Sequence, residues 1–262
     1  MTDYIISRTD IKAHMSVPAN HPRKASLDVR HRLTGGLEEG IVAPAGLIAH
    51  GRGEAFDYLL GERTPVEAAR AERAAVALLL AARKPVVCVN GNVAALCPGD
   101  VVALASAVGA ELEVNLFYRS GGRERRIRRV LMEAGAKRVW GVGPRSRTVP
   151  GLSSERARAD KPTVEADVVL VMLEDGDRTE YLMRMGKKVV AVDLNPLSRT
   201  ARKASLTIVD NVVRALPRMT GYARSMRKWN RGRLALVYGG FDNKANLRVA
   251  ESRIRSGLKR RR

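Results

Sequence analysis

Short apolar runs alternate with amphipathic segments along most of the chain. Runs rich in Val, Ile and Leu predict strands at 85–90, 111–117, 138–143, 166–173, 187–194 and 205–210. Apolar residues at helical spacing predict helices at 22–39, 64–83, 98–110, 123–136, 177–186 and from 211 onward. Continuous apolar strands separated by helices are typical of a parallel sheet that is covered on both faces. The pattern therefore predicts an α/β fold, a Rossmann-like three-layer domain with a mostly parallel sheet.

One helix start has a clear signature in the sequence. Thr64 is a good capping residue, Pro65 suits the first helical position, and Glu67 completes a capping box. A helix is therefore expected to begin at Thr64.

The chain is divided into three segments that differ in composition. Residues 1–20 are predicted to be a variable leader, and residues 21–219 the Rossmann-like domain with an N-terminal helical segment. Residues 220–262 are predicted to be a basic C-terminal extension. The net charge of the chain is +20, and residues 218–262 hold 14 Lys or Arg against 2 Asp or Glu. We interpret the extension as a partly ordered tail, for which only weak, nonspecific contact with nucleic acid is expected.

The sequence gives no sign of a membrane or secreted protein. No apolar run approaches the ~18 residues that a membrane-spanning helix needs. The first residues lack the basic region and apolar stretch of a secretion signal. The two cysteines, Cys88 and Cys97, have no metal-ligand spacing, so reduced structural thiols and a cytoplasmic location are expected.

The segment at residues 49–63, AHGRGEAFDYLLGER, places Arg52 between Gly51 and Gly53. Glycines let a ligand approach the backbone closely, and an arginine fork suits a phosphate or a carboxylate. The same residues also suit an ordinary glycine-containing turn with a solvated arginine. From this segment alone, the two interpretations are equally good.

Polar residues follow four of the predicted strands, where ligands bind in parallel sheets of this kind. Strand-end turns also favour such residues for geometric reasons, so any single turn is weak support. Asp193 suits the hydroxyls of a ribose. Asn195 and Asn211 suit a base or a sugar, and Arg199 and Thr200 suit phosphate oxygens at a helix start. The remaining strand-end candidates are Asn90, Asn92, Glu174, Asp175, Asp177 and Arg178.

Residues 174–177, which we call the acidic turn, contain three carboxylates that have two interpretations. Glu174, Asp175 and Asp177 suit Mg²⁺ beside phosphates, with Asp175 and Asp177 as the tentative ligands. Alternatively, this is a solvated turn in which Asp177 caps the next helix. Several other chemistries are disfavoured, because the chain has no P-loop, no complete dinucleotide fingerprint, no zinc motif and no nucleophile elbow.

Six motifs, several of them long, occur in the order of one known family. They are HPR (21–23), IVAPAGLIAHGRGEAFDYLLGE (41–62), VNGNVAAL (89–96), VNLFYR (114–119), LEDGDRTE (173–180) and DLNPLSRTAR…TIVDNVVRALP (193–217). Over roughly residues 20–220 the chain resembles the archaeal 4-phosphopantoate–β-alanine ligases, or phosphopantothenate synthetases. The resemblance implies a Rossmann-like homodimer in coenzyme A biosynthesis that joins 4-phosphopantoate to β-alanine and converts ATP to AMP and pyrophosphate.

The resemblance also implies roles for individual residues. ATP contacts fall on Arg30, Arg52, Asp193, Leu194, Asn195, Arg199, Thr200, Asn211 and Val212. The implied route has two steps through an acyl-adenylate, in which positioning and charge stabilisation dominate. Arg52 and Arg30 are expected on phosphates, and His50 is a candidate to help deprotonate the β-alanine amine. Glu174, Asp175 or Asp177 is expected either to hold Mg²⁺ or to receive the β-alanine ammonium. His50 also suits a purely structural role.

Two other classes of function stay open from the sequence. The basic extension suits a nucleic-acid-binding protein on the same scaffold, and a small-molecule kinase would produce ADP instead of AMP. Both are distinguished from a ligase by the products formed from ATP.

Overall fold

The computed structural model describes residues 17–144, 147–152 and 157–259 of the chain. In chain order its elements are α1 (Lys24–Glu38), α2 (Pro44–Leu60), α3 (Val66–Ala81), β1 (Pro85–Val89), α4 (Gly91–Leu96), α5 (Pro98–Val108), β2 (Glu111–Val114), α6 (Gly121–Glu133), β3 (Arg147–Thr148), β4 (Arg158–Ala159), α7 (Lys161–Glu165), β5 (Val168–Met172), α8 (Gly176–Arg184), β6 (Lys188–Val192), α9 (Arg199–Lys203), β7 (Leu206–Ile208), α10 (Val212–Met226), α11 (Arg231–Gly239) and α12 (Asn243–Lys259).

The main sheet has five parallel strands in the order β2-β1-β5-β6-β7. The chain runs outward from β1 to β2 and then returns to the other side of β1 to form β5. Strand order therefore reverses between β1 and β5, where Val87 is paired with Leu170. In sheets of this kind a crevice opens beyond the carboxyl ends of the strands at such a reversal, and ligands bind there.

The central strands are buried on both faces, as their continuous apolar sequences predict. Every residue of β1 and of β5 is buried. Val87 and Leu170 pack into one apolar layer, whereas Val86 and Val169 pack into the layer on the opposite face. Alternate side chains of a strand point to opposite faces of its sheet, so helices must cover both. The predicted three-layer α/β domain is confirmed.

The region of the two flanking glycines is a helix, so the interpretation of this segment as a glycine-containing turn is wrong. Helix α2 starts with Pro44 and runs without a break through Gly51, Arg52 and Gly53. It ends at Gly61, whose φ of 92° is left-handed and therefore favours glycine. Glycine in a helix interior costs about 1 kcal/mol relative to alanine, so the sequence pattern concealed this helix.

Three local predictions also differ from the structure. Residues 138–143 form no strand, and of these Trp140 alone makes an isolated parallel bridge, to Glu113. Helix α4 follows β1 directly and was not predicted. The capping box fails because the Thr64 hydroxyl donates to Asp210 Oδ2 (2.6 Å) and Glu67 accepts from Arg253. Helix α3 consequently begins after Pro65 without a side-chain cap.

The described part of the basic extension, up to residue 259, is folded, whereas a partly ordered tail was expected. Its helices α10, α11 and α12 continue to Lys259, and Leu234, Ala250 and Ile254 are buried. Asn246 Nδ2 donates to the carbonyl oxygen of Thr207 (2.8 Å), so α12 covers the edge strand β7. The sparse apolar stripe of α12 was hidden among its arginines. Residues 1–16 of the predicted leader and residues 260–262 lie outside the described residues.

The connection between β2 and β5 also contains structure. β3 and β4 form a two-stranded antiparallel pair that is followed by the short helix α7. Residues 145–146 and 153–156 of this connection lie outside the described residues.

Both cysteines are free and buried, and burial raises the pKa of each thiol to about 12. Within the described ranges, no helix combines the length and the apolar character needed to cross a membrane.

Candidate functional site

Helix α2 crosses the carboxyl edge of the sheet from β1 to β7. At its start, the carbonyl oxygen of Gly46 accepts from Asn92, just after β1. In its middle, a β-carbon at Gly53 would meet Leu194, just after β6, at 3.6 Å. Near its end, Asp57 accepts from Asn211, which follows β7. Residues from one helix are thereby brought to three strand ends.

A cleft of about 300 Å³ lies between α2 and the turns after β1, β2 and β5. It is at the point where the strand order reverses. Its polar and charged lining consists of His50, Arg52, Asn90, Asn92, Asn115, Tyr118, Arg123, Glu174 and Asp175. A larger cavity of about 440 Å³ lies between the end of α2 and α12, where it includes Tyr58 and Ser252. We place the function in the cleft because it lies at the strand ends of the reversal, whereas the larger cavity does not.

Asn90 and Asn92 hold the walls of the cleft together. The Asn90 amide donates to the carbonyl oxygens of Met172 (2.7 Å) and Leu173, which bridges β1 and β5 at the reversal. Its Oδ1 accepts from the backbone of Val93 and caps α4. Asn92 Nδ2 donates to the carbonyl oxygen of Gly46 (2.8 Å). Both predicted residues line the cleft, with these amide groups engaged in the fold.

The carboxylates of the acidic turn point in different directions. Asp175 Oδ1 accepts from the backbone of Arg178 (2.9 Å) and caps α8. Asp177 pairs with Arg199. Glu174 lines the cleft with a side chain that is only 12% exposed, and burial raises its pKa to about 7. Among the residues that the structure describes, no three His, Cys, Asp or Glu side chains gather as metal ligands.

The guanidinium of Arg178 lies behind the cleft. It is 4% exposed, and its Nη2 donates to Asn115 Oδ1 (2.6 Å). Its Nη1 donates to the carbonyl oxygen of Arg158, and its Nε lies 3.8 Å from Glu174. Arg178 therefore orients two cleft residues, Asn115 and Glu174. The sequence did not indicate Asn115, because the strand was predicted to continue to residue 117, whereas β2 ends at Val114 and Asn115 follows it.

The turn after β6 is closed around Asp193. Its carboxylate accepts from the backbone of Asn195 (2.9 Å) and from the Ser198 hydroxyl. Burial raises the pKa of Asp193, while these hydrogen bonds and the positive charge of Arg52 oppose that rise. Leu194 is buried. The turn thus presents Asp193 and Asn195 together, near Arg52.

Arg199 and Thr200 join this turn to the acidic turn after β5. The Thr200 hydroxyl donates to the carbonyl oxygen of Glu174 (2.7 Å). The exposed guanidinium of Arg199 pairs with Asp177 and with Glu180 (2.7 Å), which raises the pKa of Arg199. Both predicted phosphate contacts therefore already have protein partners.

The predicted residues Asn211 and Val212 open α10. Asn211 caps this helix and donates from Nδ2 to Asp57 (2.9 Å), while Val212 is buried. Asp57 also accepts from Arg214 (2.6 Å), which pairs in addition with Asp210. This buried cluster fixes the end of α2 against β7.

Arg30 is outside the lining of the cleft. Its guanidinium donates to both carboxylate oxygens of Glu54 at 2.9–3.2 Å, and Tyr58 also accepts from it. The resemblance placed ATP at Arg30, yet in the structure the fork of this arginine is engaged by a carboxylate.

His50 and Arg52 both line the cleft from α2. His50 is half-buried, and desolvation lowers its pKa, which favours the neutral imidazole at neutral pH. Arg52 is exposed, and its charge acts on Asp193. Arg52 therefore lies between the cleft and the turn that holds Asp193, because it lines the cleft and its charge also acts on Asp193.

The sequence profile of the phosphopantothenate/pantothenate synthetase family matches residues 67–257. The match includes most of the basic extension, which sequence reasoning had placed outside the family resemblance. The chain is 53% identical over 248 residues to the 4-phosphopantoate–β-alanine ligase of Thermococcus kodakarensis, covering 94% of this chain and 95% of that protein. It is 48% identical over 243 residues to the enzyme of the same name from Methanosarcina mazei, covering 93% and 96% respectively.

Proposed function

Because the chain belongs to the phosphopantothenate/pantothenate synthetase family, we propose that it ligates 4-phosphopantoate and β-alanine in coenzyme A biosynthesis, with ATP as the third substrate. The relatives of that name align with it over nearly their whole length. The structural observation that best supports the proposal is the position of Arg52. This side chain lies where a nucleotide phosphate at the Asp193 turn would meet an acid bound in the cleft.

The proposed reaction has two steps. A carboxylate oxygen of 4-phosphopantoate attacks the α-phosphorus of ATP, and the bond from that phosphorus to the pyrophosphate oxygen breaks. The β-alanine amine then attacks the carbonyl carbon of the acyl-adenylate, and AMP leaves with the electron pair of the broken C–O bond. The chain supplies position and charge rather than a covalent nucleophile.

We assign the nucleotide to the turns after β6 and β7. Asp193 and Asn195 would contact the ribose or base, and Asn211 with the start of α10 would flank it. Arg52 would hold the phosphates near the α-phosphorus, where negative charge increases during the first step. Arg199 and Thr200 would then act mainly by fixing the Asp193 turn against the turn after β5.

Glu174 is the residue that we assign to the β-alanine ammonium. It is a carboxylate lining the cleft, it is mostly buried, and Arg178 and the Asp175 backbone hold it in place. A carboxylate in such a position binds the ammonium and can accept a proton from it. His50, on the opposite wall, is the alternative base, because its neutral ring can also accept a proton.

The acidic turn does not fit a metal site made by the chain itself. Asp175 caps α8, and Asp177 pairs with Arg199. We therefore assign Mg²⁺ to neither aspartate and derive no step through it. The homodimer implied by the resemblance also stays a proposal, which light scattering of the purified protein would test.

Product analysis tests the proposed function directly. The protein is incubated with ATP, Mg²⁺, 4-phosphopantoate and β-alanine, and each substrate is omitted in turn. AMP and pyrophosphate should form in equal amounts with 4'-phosphopantothenate. Formation of ADP would indicate a kinase instead, and the absence of any turnover would refute the ligase assignment.

A further inference from the structure

We propose that Arg123 binds the 4-phosphate of 4-phosphopantoate at the end of the cleft away from the nucleotide. The inference rests on the proposed function and extends it to a residue to which the sequence analysis assigned no role. Arg123 lies in the first turn of α6 and lines the cleft.

The guanidinium of Arg123 is held by neutral groups. Its Nε and Nη2 donate to the carbonyl oxygen of Ile41 at 3.2 and 3.1 Å, and its Nη1 donates to the carbonyl oxygen of Tyr118. Within the described ranges, no carboxylate lies at ion-pair distance from it. By contrast, Arg119 on the preceding loop pairs with Glu124. Arg123 therefore brings a positive charge to the cleft that the described residues do not neutralise.

This charge is partly removed from water. Arg123 is half-buried, and burial alone accounts for the lowering of its pKa. A buried charge without a counterion costs free energy, which a bound anion offsets. A guanidinium also matches the geometry of a phosphate, because two of its N–H groups can donate in parallel.

The guanidinium of Arg123 is closely packed against Gly91 and Ile41. A β-carbon at Gly91 would lie 2.9 Å from Nη2 of Arg123 and would overlap the carbonyl oxygen of Ile41. Glycine at this position lets the guanidinium lie against the end of β1. An arginine fixed in this way loses little side-chain entropy when it binds an anion.

The position of Arg123 along the sheet edge indicates that it binds the 4-phosphate rather than a phosphate of the nucleotide. The turns that we assign to the nucleotide follow β6 and β7. Arg123 lies at the end of β1, two strands away from β6. Strands are about 4.8 Å apart, which gives roughly 10 Å between the two places. 4-Phosphopantoate has its carboxylate and its phosphate at opposite ends. Because the carboxylate must meet the α-phosphorus beside Arg52, the phosphate must point away, toward Arg123.

Apolar side chains line the cleft beside this residue. Leu116 and Phe117 belong to the lining, and Phe117 is 46% exposed although it is a large apolar residue. The two methyl groups of 4-phosphopantoate lie between its carboxylate and its phosphate, so they would contact this wall.

The test compares 4-phosphopantoate with pantoate, which lacks the phosphate, in wild-type protein and in Arg123→Met. We expect kcat/KM for 4-phosphopantoate to fall about 100-fold in the variant, as for the loss of a buried charged contact. The value for pantoate and the KM for ATP should change less than about twofold. Arg123→Lys should recover part of the loss, since it keeps the charge but not the fork.

Arg129→Met is the matched control, because Arg129 is on the same helix and is exposed. It should leave both substrates unaffected. Equal losses for 4-phosphopantoate and pantoate in Arg123→Met would overturn the inference, and so would no loss with either substrate.

Inhibition by inorganic phosphate tests the site first in the wild-type protein, where no substitution can affect folding. Inorganic phosphate should inhibit competitively against 4-phosphopantoate, and Arg123→Lys should weaken that inhibition. Absence of competition would contradict the assignment. If wild-type protein forms no AMP from the three substrates, the proposed function itself is wrong; if it does and only these comparisons fail, Arg123 alone is misassigned.

Discussion

Asn92 donates from Nδ2 to the carbonyl oxygen of Gly46 at 2.8 Å and joins helix α2 to the turn after β1. A β-carbon at Gly46 would overlap Asn92 Oδ1 and lie 3.2 Å from Val42, so helix and turn meet only because residue 46 is glycine. This contact fixes the wall of the cleft that carries His50 and Arg52.

The glycines of α2 should respond to alanine with opposite signs. Gly46→Ala forces Asn92 or the helix to move, and overpacking of this kind costs about 1–3 kcal/mol. Gly51→Ala has open space around it and should stabilise the protein by about 0.5–1 kcal/mol, since alanine is the better helix former. Urea denaturation of both variants measures the difference, and equal effects would refute this account of the contact.

The same Gly51→Ala variant tests the interpretation first drawn from the sequence. If a ligand approaches the backbone between Gly51 and Gly53, the added methyl group should raise the KM for ATP. The helix in the structure predicts an unchanged KM.

The two arginines assigned to ATP phosphates should differ in importance. Arg52 lines the cleft, so Arg52→Ala should reduce kcat/KM for ATP about thirtyfold, which corresponds to about 2 kcal/mol. Arg30 is engaged by Glu54 at the surface, so Arg30→Ala should reduce it less than about fivefold. Initial rates of AMP formation measure both. A larger effect at Arg30 would mean that ATP draws this side chain away from Glu54.

Glu174→Gln should impair only the second step of the proposed reaction, in which the β-alanine amine attacks the acyl-adenylate. ATP–pyrophosphate exchange with 4-phosphopantoate, in the absence of β-alanine, should stay within about twofold of wild type. Amide formation with β-alanine should fall about 100-fold, within the range of general-base catalysis. Hydroxylamine, which is uncharged at neutral pH, should react almost normally because it needs no deprotonation before it attacks and can lose its proton to water afterwards.

His50→Gln is the comparison for this experiment. If its losses follow the pattern expected of Glu174→Gln, and Glu174→Gln behaves as wild type, then the histidine is the base. A loss of exchange in Glu174→Gln would instead place the carboxylate in the first step.

Glu72 should make folding stability depend on pH. Its side chain is fully buried on α3, and burial raises its pKa from 4.5 to about 7 although Arg218 donates to it at 2.8 Å. Between about pH 4.5 and 7 the folded protein holds the proton and the unfolded chain does not. The free energy of unfolding should therefore fall as pH rises through this window, by about 3 kcal/mol.

Glu72→Gln should remove this part of the slope, as measured by denaturation at pH 4.5, 6 and 8. Glu251→Gln is the control, because Glu251 pairs with Arg255 at the surface and should leave the slope unchanged. The same slope in Glu72→Gln as in wild type would show that Glu72 is ionised in the folded protein.

The sequence by itself determined the elements whose signals are local. Five of the six predicted strands are present, because a strand buried on both faces must be apolar throughout. The strand-end rule also located Asn90, Asn92 and Glu174 in the cleft without any knowledge of the side chains opposite. The family motifs are local too, and the profile match confirms the family to which they pointed.

Only the tertiary structure decided what the charged and small residues do. Helix α2 contains three glycines and looks like a loop, yet its contacts with Asn92, Leu194 and Asn211 make it the wall of the site. Arg123 and Arg129 look alike in sequence, and only the packing of Ile41 and Gly91 separates a half-buried cleft residue from a solvated one. Charge and helix propensity are properties of one residue, whereas burial and the presence of a counterion depend on segments far away in the chain.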